Sequence, residues 1–292
     1  MTARGQGLVL SRYGSMVMLA LEDGRTQKIP VRRKLQGIVC GDRVHWETDA
    51  RGSYVVTDIL PRKNTLVRSY FRGQPRLIAA NVDQIVIVAA TEPEPDWSLI
   101  DNLLVTANTM QADAMILHNK SDLPATPEQD KNFLEYQAIG YPVLKTSTAI
   151  PDSITALEAK LKDKVNVFVG QSGVGKSSLT NLLIPQAAVK TQSISEISKL
   201  GQHTTSMATL YSLPQGGALI DSPGIRDFTP MPLPISEYQY GFVEFQPYRE
   251  HCRFHNCIHH KEPGCAVRQA VEDGKISQRR YTGYLNLMTT TP

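Results

Sequence analysis

Cysteine is scarce in this 292-residue chain, with four residues at Cys40, Cys252, Cys257 and Cys265. That number excludes a disulfide framework as the main device holding so long a chain together. No apolar run reaches the length of a transmembrane helix, and Met1–Gly7 has no hydrophobic stretch of the kind a signal peptide needs. A reducing, cytosolic setting is the expectation. Overall charge of one sign is also missing, since the formal net charge is only +3. What is present, at 41% hydrophobic and 20% charged residues, suits a globular chain of two or three domains.

The near-neutral total hides an uneven distribution. Met1–Arg68 carries 12 Lys/Arg against 6 Asp/Glu, residues 69–230 carry 12 against 16, and the remainder 7 against 6. A basic segment fused to an acidic one points to a polyanionic partner for the first, although a soluble domain with a basic face fits the charge alone. That basic segment reads as about five short strands separated by turns: GLVLS, SMVMLAL, QKIPV, GIVCGDRVHWE and SYVVTDILPR. Such a set predicts a small closed β-barrel of OB type. Arg32, Arg33 and Lys34 fall together in one of its connections and are the candidate RNA contacts. Few aromatics interleave with them, so phosphate contact is favoured over base stacking. Cys40, between Val39 and Gly41, reads as a buried small apolar side chain.

Val165, Val167 and Val169 alternate along a β-branched run, which predicts a strand. The run leads into Gly170-Gln171-Ser172-Gly173-Val174-Gly175-Lys176-Ser177-Ser178, which contains G-x-x-x-x-G-K-S, and then into a helical stretch. The glycines let successive N–H groups turn inward onto phosphate oxygens. Lys176 reaches the β- and γ-phosphates, Ser177 offers its hydroxyl to Mg²⁺, and the helix aims its positive end at the same anion. An ordinary glycine turn is the plain alternative, and the complete strand-loop-helix order weighs against it.

Strands and helices alternate around this loop, as expected of a parallel sheet covered on both faces. Asn119-Lys120-Ser121-Asp122 follows the strand AMILH and matches N-K-x-D. A carboxylate at Asp122 would accept from the guanine N1–H and 2-amino group, donors that adenine lacks at those positions. Ser147, in Thr146-Ser147-Thr148 after the next strand, is a looser candidate for the guanine O6. GALIDSPG ends a further strand in Asp221-Ser222-Pro223-Gly224, a D-x-x-G, with Asp221 toward Mg²⁺ through water and the Gly224 N–H toward the γ-phosphate. Between the two phosphate motifs lies Gly201-Gln202-His203-Thr204-Thr205. Of its threonines Thr205 is the favoured second Mg²⁺ ligand, and His203 is either a surface histidine or a group that orients water. The N-K-x-D precedes the phosphate loop, the reverse of the usual GTPase order, so the domain reads as circularly permuted.

Near the C-terminus, Cys252, Cys257, His259 and Cys265 give C-x4-C-x-H-x5-C, three thiolates and an imidazole suited to structural Zn²⁺. His251, His255 and His260 compete for the histidine role. Two helices are predicted after them, the second carrying Arg279, Arg280 and Tyr281.

Taken together, the permuted N-K-S-D, G-Q-S-G-V-G-K-S-S, G-Q-H-T-T, D-S-P-G and CRFHNCIHHKEPGCAV segments resemble the bacterial small-ribosomal-subunit biogenesis GTPases of the RsgA/YjeQ family. The resemblance covers essentially the whole chain. It implies an N-terminal OB-type β-barrel over 1–68, a circularly permuted α/β P-loop GTPase domain over 69–230, and a mainly helical zinc-binding domain over 231–292. It further implies a cytoplasmic monomer, not held in a membrane, that binds GTP/GDP with Mg²⁺ and one structural Zn²⁺. Its partners would be the small (30S) ribosomal subunit and 16S rRNA, and its late maturation would be assisted by GTP hydrolysis that the subunit stimulates. Lys176, Thr205 and His203 would be the catalytic residues. A GTP-gated binding switch with incidental hydrolysis is the alternative.

Overall fold

The computed structural model describes residues 3–49, 52–69, 74–184, 208–221 and 228–289. Its first strand, β1 (Arg4–Tyr13), is flanked by β2 (Met16–Leu21) and β4 (Arg43–Thr48), both antiparallel to it. Gly5 and Gly7 permit that sandwiching. A Cβ at Gly7 would stand 2.7 Å from the Leu19 side chain, and one at Gly5 2.8 Å from the Trp46 ring. β3 (Thr26–Pro30) pairs with β2, and β5 (Tyr54–Ile59) with β4. A bridge between Val31 and Val56 brings the end of β3 to β5 and closes the ring. Val9, Val17, Leu19, Ile29, Ile38, Val44 and Val56 fill the interior, as alternation predicts for a half-buried barrel.

The stretch predicted as one strand from Gly37 is regular only from Arg43. Gly41 explains the difference: its φ is +87°, and a Cβ there would meet the Ala80 carbonyl oxygen at 2.1 Å. The chain turns at this point so that Cys40 can bridge Ala79. Cys40 is buried, as expected, and its thiol donates to the Leu10 carbonyl. Ala79 belongs to a hairpin that the sequence reading did not anticipate, β6 (Thr65–Ser69) with β7 (Pro75–Ala80). This hairpin straddles the expected boundary near residue 68 and lies between the barrel and the sheet.

The main sheet comprises β8 (Gln84–Ala90), β9 (Asp113–Asn119), β10 (Val143–Lys145), β11 (Val165–Val169), β12 (Thr209–Ser212) and β13 (Ala218–Asp221). Its order is β10-β9-β8-β11-β13-β12, parallel except for β12. A single pairing, Ser11 with Thr209, joins β12 to the barrel. β8 shows why both faces need cover: Ile85 and Ile87 enter one core with Leu103 and Phe133, while Val86 and Val88 enter the other with Leu157 and Leu179. The covering helices are α1 (Trp97–Thr109), α2 (Pro127–Ala138), α3 (Pro151–Leu161) and α4 (Lys176–Leu183). Such a continuous apolar strand is the signature of a doubly covered parallel sheet.

The C-terminal region holds α5 (Ile235–Gly241), a short 3₁₀ turn, α6 (Gln246–Arg249), α7 (Ala266–Glu272) and α8 (Gln278–Thr289). Its core of Tyr238, Phe242, Phe245, Val267 and Tyr284 also takes in Val105 from α1. Close packing needs two glycines: a Cβ at Gly241 would lie 2.6 Å from Val105, and one at Gly283 2.4 Å from the Asp101 carboxylate. At this seam Arg280 is buried and bonds both Asp101 and Glu244, and Tyr136 also donates to Asp101. Among the described residues no helix is long and apolar enough to cross a membrane.

Candidate functional site

The phosphate loop leaves β11 through Gly170, whose φ of +136° and 2.2 Å clearance from a Cβ to the Val88 carbonyl oxygen admit glycine alone. Gly175 closes the loop at φ +97°, and a Cβ there would strike the Asn119 amide at 2.3 Å. That near-contact identifies the loop's neighbour. The Asn119 amide donates to the Val174 carbonyl at 2.8 Å, across 55 positions of sequence, and its own oxygen accepts from Thr146. Three loops at the carboxyl ends of β9, β10 and β11 are thereby tied together. Ligands of open α/β sheets sit at such ends.

Lys176, at the start of α4, donates from Nζ to the carbonyls of Gly170 and Gln171, 2.7 and 2.5 Å away. The ammonium is thus held over the loop, where phosphate oxygens would be stronger acceptors for it. Ser172 and Gly173 are exposed on the same rim, and Ser177 and Ser178 lie in the first turn of α4. Asp221 ends β13, the strand beside β11. His203, Thr205 and Gly224 lie outside the described residues.

Lys120 adopts a φ of +55°, and its ammonium donates to the Glu92 carbonyl. The Ser121 N–H donates to the Thr146 carbonyl, which pins the N-K-x-D turn to β10's loop. Asp122 is exposed at the rim, and its carboxylate accepts from the Ser147 hydroxyl. The Ser147 N–H is engaged internally, donating to Ser153 Oγ. Ser147 therefore orients Asp122 with its side chain while its own N–H serves the loop. Gln171, already in the phosphate-loop motif, also accepts with its side chain from the Asp96 N–H at the start of α1, whereas the buried Thr91 and His118 escaped the sequence reading. Their position at the ends of β8 and β9 was the available signal.

Some distance away, one ligand atom each from Cys252, Cys257, His259 and Cys265 lies within 4.8 Å of all the others. Cys252 and Cys265 sulfurs are 3.9 Å apart, and His259 Nδ1 is 3.5 Å from both. A tetrahedral ion with bonds to sulfur of about 2.3 Å would set sulfurs about 3.8 Å apart, so these edges fit such a centre. Burial pushes the Cys257 thiol up to about 12 and also raises Cys265. A divalent cation would reverse that direction, because coordination deprotonates thiols. His251, His255 and His260 are exposed, and the cluster takes His259. Tyr281 and Tyr284 hold its loop by donating to the carbonyls of His259 and Ile258. In the barrel Arg32, Arg33 and Lys34 are all exposed, and Arg32 pairs with Glu47.

A phosphate loop after β11 and an N-K-x-D after β9, two parallel strands on either side of β8, with the second motif earlier in the chain, define a circularly permuted P-loop GTPase. The chain belongs to the RsgA GTPase family, whose family model matches residues 59–230. It is 44% identical to the small ribosomal subunit biogenesis GTPase RsgA of Chromohalobacter salexigens, over 97% of this chain and 85% of that protein. The RsgA of Azotobacter vinelandii is 41% identical, over 98% and 85% respectively. Among solved structures, YjeQ from Thermotoga maritima superposes with a TM-score of 0.79 at 33% identity, covering 98% of this chain and 97% of its own. YloQ, described as a circularly permuted GTPase, gives 0.75 at 29%, covering 98% and 94%.

Proposed function

We propose that this protein binds GTP with Mg²⁺ and hydrolyses it to GDP and phosphate in the service of small ribosomal subunit maturation; its relatives are named small ribosomal subunit biogenesis GTPases. The observation carrying the reading is the Asn119–Val174 hydrogen bond, which makes one site of a phosphate-binding and a guanine-reading loop. Lys176 and Ser177 would hold the phosphates and Mg²⁺, with Asp221 behind a bound water. The four-residue Cys/His cluster would hold one structural Zn²⁺, since its four protein donors leave no open position for a substrate. The strand ring over residues 1–68 is read as an OB-type domain contacting 16S rRNA through Arg33 and Lys34, with the GTPase domain over 69–230 and the zinc domain over 231–292. The protein would act as a cytoplasmic monomer.

A second reading, a GTP-gated switch with incidental hydrolysis, is favoured by one feature. The residue after D-x-x-G is Ile225, which offers no polar group to orient water. Titrating the GTPase rate with purified small subunits separates the two. A rise of about 10³-fold or more, the scale of a supplied catalytic group, supports the enzyme. A flat rate with GTP-dependent subunit binding supports the switch.

A further inference from the structure

Behind the N-K-x-D turn lies a buried polar chain that none of the motifs contains. His118 immediately precedes Asn119 on β9 and is buried, its ring stacked on Phe133 of α2 at 4.2 Å. Its Nε2 is 2.9 Å from the Thr91 hydroxyl, and that hydroxyl is 3.5 Å from the Lys120 carbonyl. The same carbonyl accepts from the Leu123 N–H and so closes the turn on which Asp122 stands. Thr91 is itself buried, and its carbonyl accepts from the buried Gln129 side chain.

The Thr91 hydroxyl has one proton, so the imidazole tautomer decides where it goes. With the ring proton on Nδ1, a buried donor would face no acceptor, since Nδ1 has no partner among the described residues. The hydroxyl proton would then be drawn to Nε2 and away from Lys120. With the ring proton on Nε2, the imidazole donates to Thr91 and the hydroxyl is free to donate onward. Only a lone pair is then left unmet. Burial also lowers the His118 basicity, which favours the neutral ring. The recipient is a residue in the left-handed region, which side chains with a Cβ seldom occupy without outside support.

We propose that His118 and Thr91 are positioning residues for guanine selection: His118 Nε2–H donates to Thr91 Oγ1, whose hydroxyl donates to the Lys120 carbonyl and fixes the turn presenting Asp122. The inference rests on Asp122 reading guanine. Ser147 steadies the carboxylate from the rim, and the Thr91–His118 pair steadies its backbone from inside.

The test compares affinities for GTP, inosine triphosphate and ATP, measured calorimetrically on the full-length protein. Inosine triphosphate lacks the 2-amino group and so reports on one of the two bonds to Asp122. In Thr91→Val, which keeps the shape and loses the hydroxyl, the GTP-to-inosine triphosphate affinity ratio should fall about tenfold, the scale of one hydrogen bond to a charged group. Thr91→Ser should restore the ratio. His118→Gln, which retains a donor near Nε2, should fall less than His118→Leu. Because the ratio is taken within one preparation, partial loss of folded protein does not alter it. An unchanged ratio in Thr91→Val, or an equal loss for all three nucleotides, overturns the proposal. If Asp122→Asn changes the ratio while Thr91→Val does not, only this proposal falls. If Asp122→Asn leaves it unchanged, the reading of Asp122 falls and takes the proposal with it.

Discussion

The phosphate loop draws its support from three neighbouring strands of one sheet, whereas the cysteine cluster spans fourteen residues with no strand or helix inside it. Both regions are built to hold concentrated charge. In the first, Asn119, Gly170 and Gly175 are locked by backbone contacts that exist without any ligand. In the second, the contacts between Cys252, Cys265 and His259 are sulfur and ring-nitrogen approaches of 3.5 to 3.9 Å, which are weak by themselves. A framework paid for by a hydrophobic sheet can wait for its ligand, while one assembled from loops would draw its folding free energy from a bound ion.

That contrast breaks first at the metal. Cys257→Ala or Cys265→Ala should abolish zinc content and unfold the region after Phe245, because structural zinc contributes on the order of 10 kcal/mol to small domains. Elemental analysis and hydrogen exchange would read both effects, and GTP affinity should survive. Wild-type protein that is folded and free of zinc would contradict the assignment.

Next comes the base. Asp122→Asn should weaken GTP binding by up to about 10⁴-fold and favour xanthosine triphosphate, whose C2 carbonyl suits an amide donor. The fold should be untouched, since Asp122 is exposed. Equal GTP affinity in the two proteins would remove Asp122 from the site.

A third prediction concerns the seam joining the two regions. Arg280→Met removes the cation that bonds Asp101 and Glu244, leaving Asp101 the longer 3.8 Å approach of the Arg279 cation, and should cost about 3–5 kcal/mol. Thermal unfolding measures it. Replacing all three residues with apolar ones of similar volume should recover most of the loss, because a buried ion network gains little over good packing.

Much of this was legible in the sequence. Apolar β8, the Val165–Val169 run into its glycine loop, and the cysteine spacing each carry a local pattern that tertiary structure did not override. What escaped had no local pattern. β12 is only four residues long, and the β6–β7 hairpin is short and carries arginines on both strands. Periodicity predicts α8 but gives no sign that Arg280 is its buried charge, since that depends on Asp101, far away on α1. His118 and Thr91 are likewise hidden, as single polar residues at the ends of apolar strands.

The smallest expected effect separates residues within one connection of the barrel. Arg32, Arg33 and Lys34 are adjacent and exposed, yet Arg32 is paired with Glu47 while the other two extend from the same turn. Exposed pairs contribute only about 0–1 kcal/mol, so Arg32→Glu should perturb the barrel little. If Arg33 and Lys34 meet RNA phosphates, each contact contributes about 0.7 to the log–log salt slope for a single strand. The Arg33→Glu, Lys34→Glu protein should then bind small subunits with a slope shallower by about 1.4, while Arg32→Glu changes it by less than one contact. Nucleotide affinity and zinc content should stay at wild-type values in both, because neither framework touches this turn. Equal slopes in wild type and the double variant would move the RNA contact to another surface.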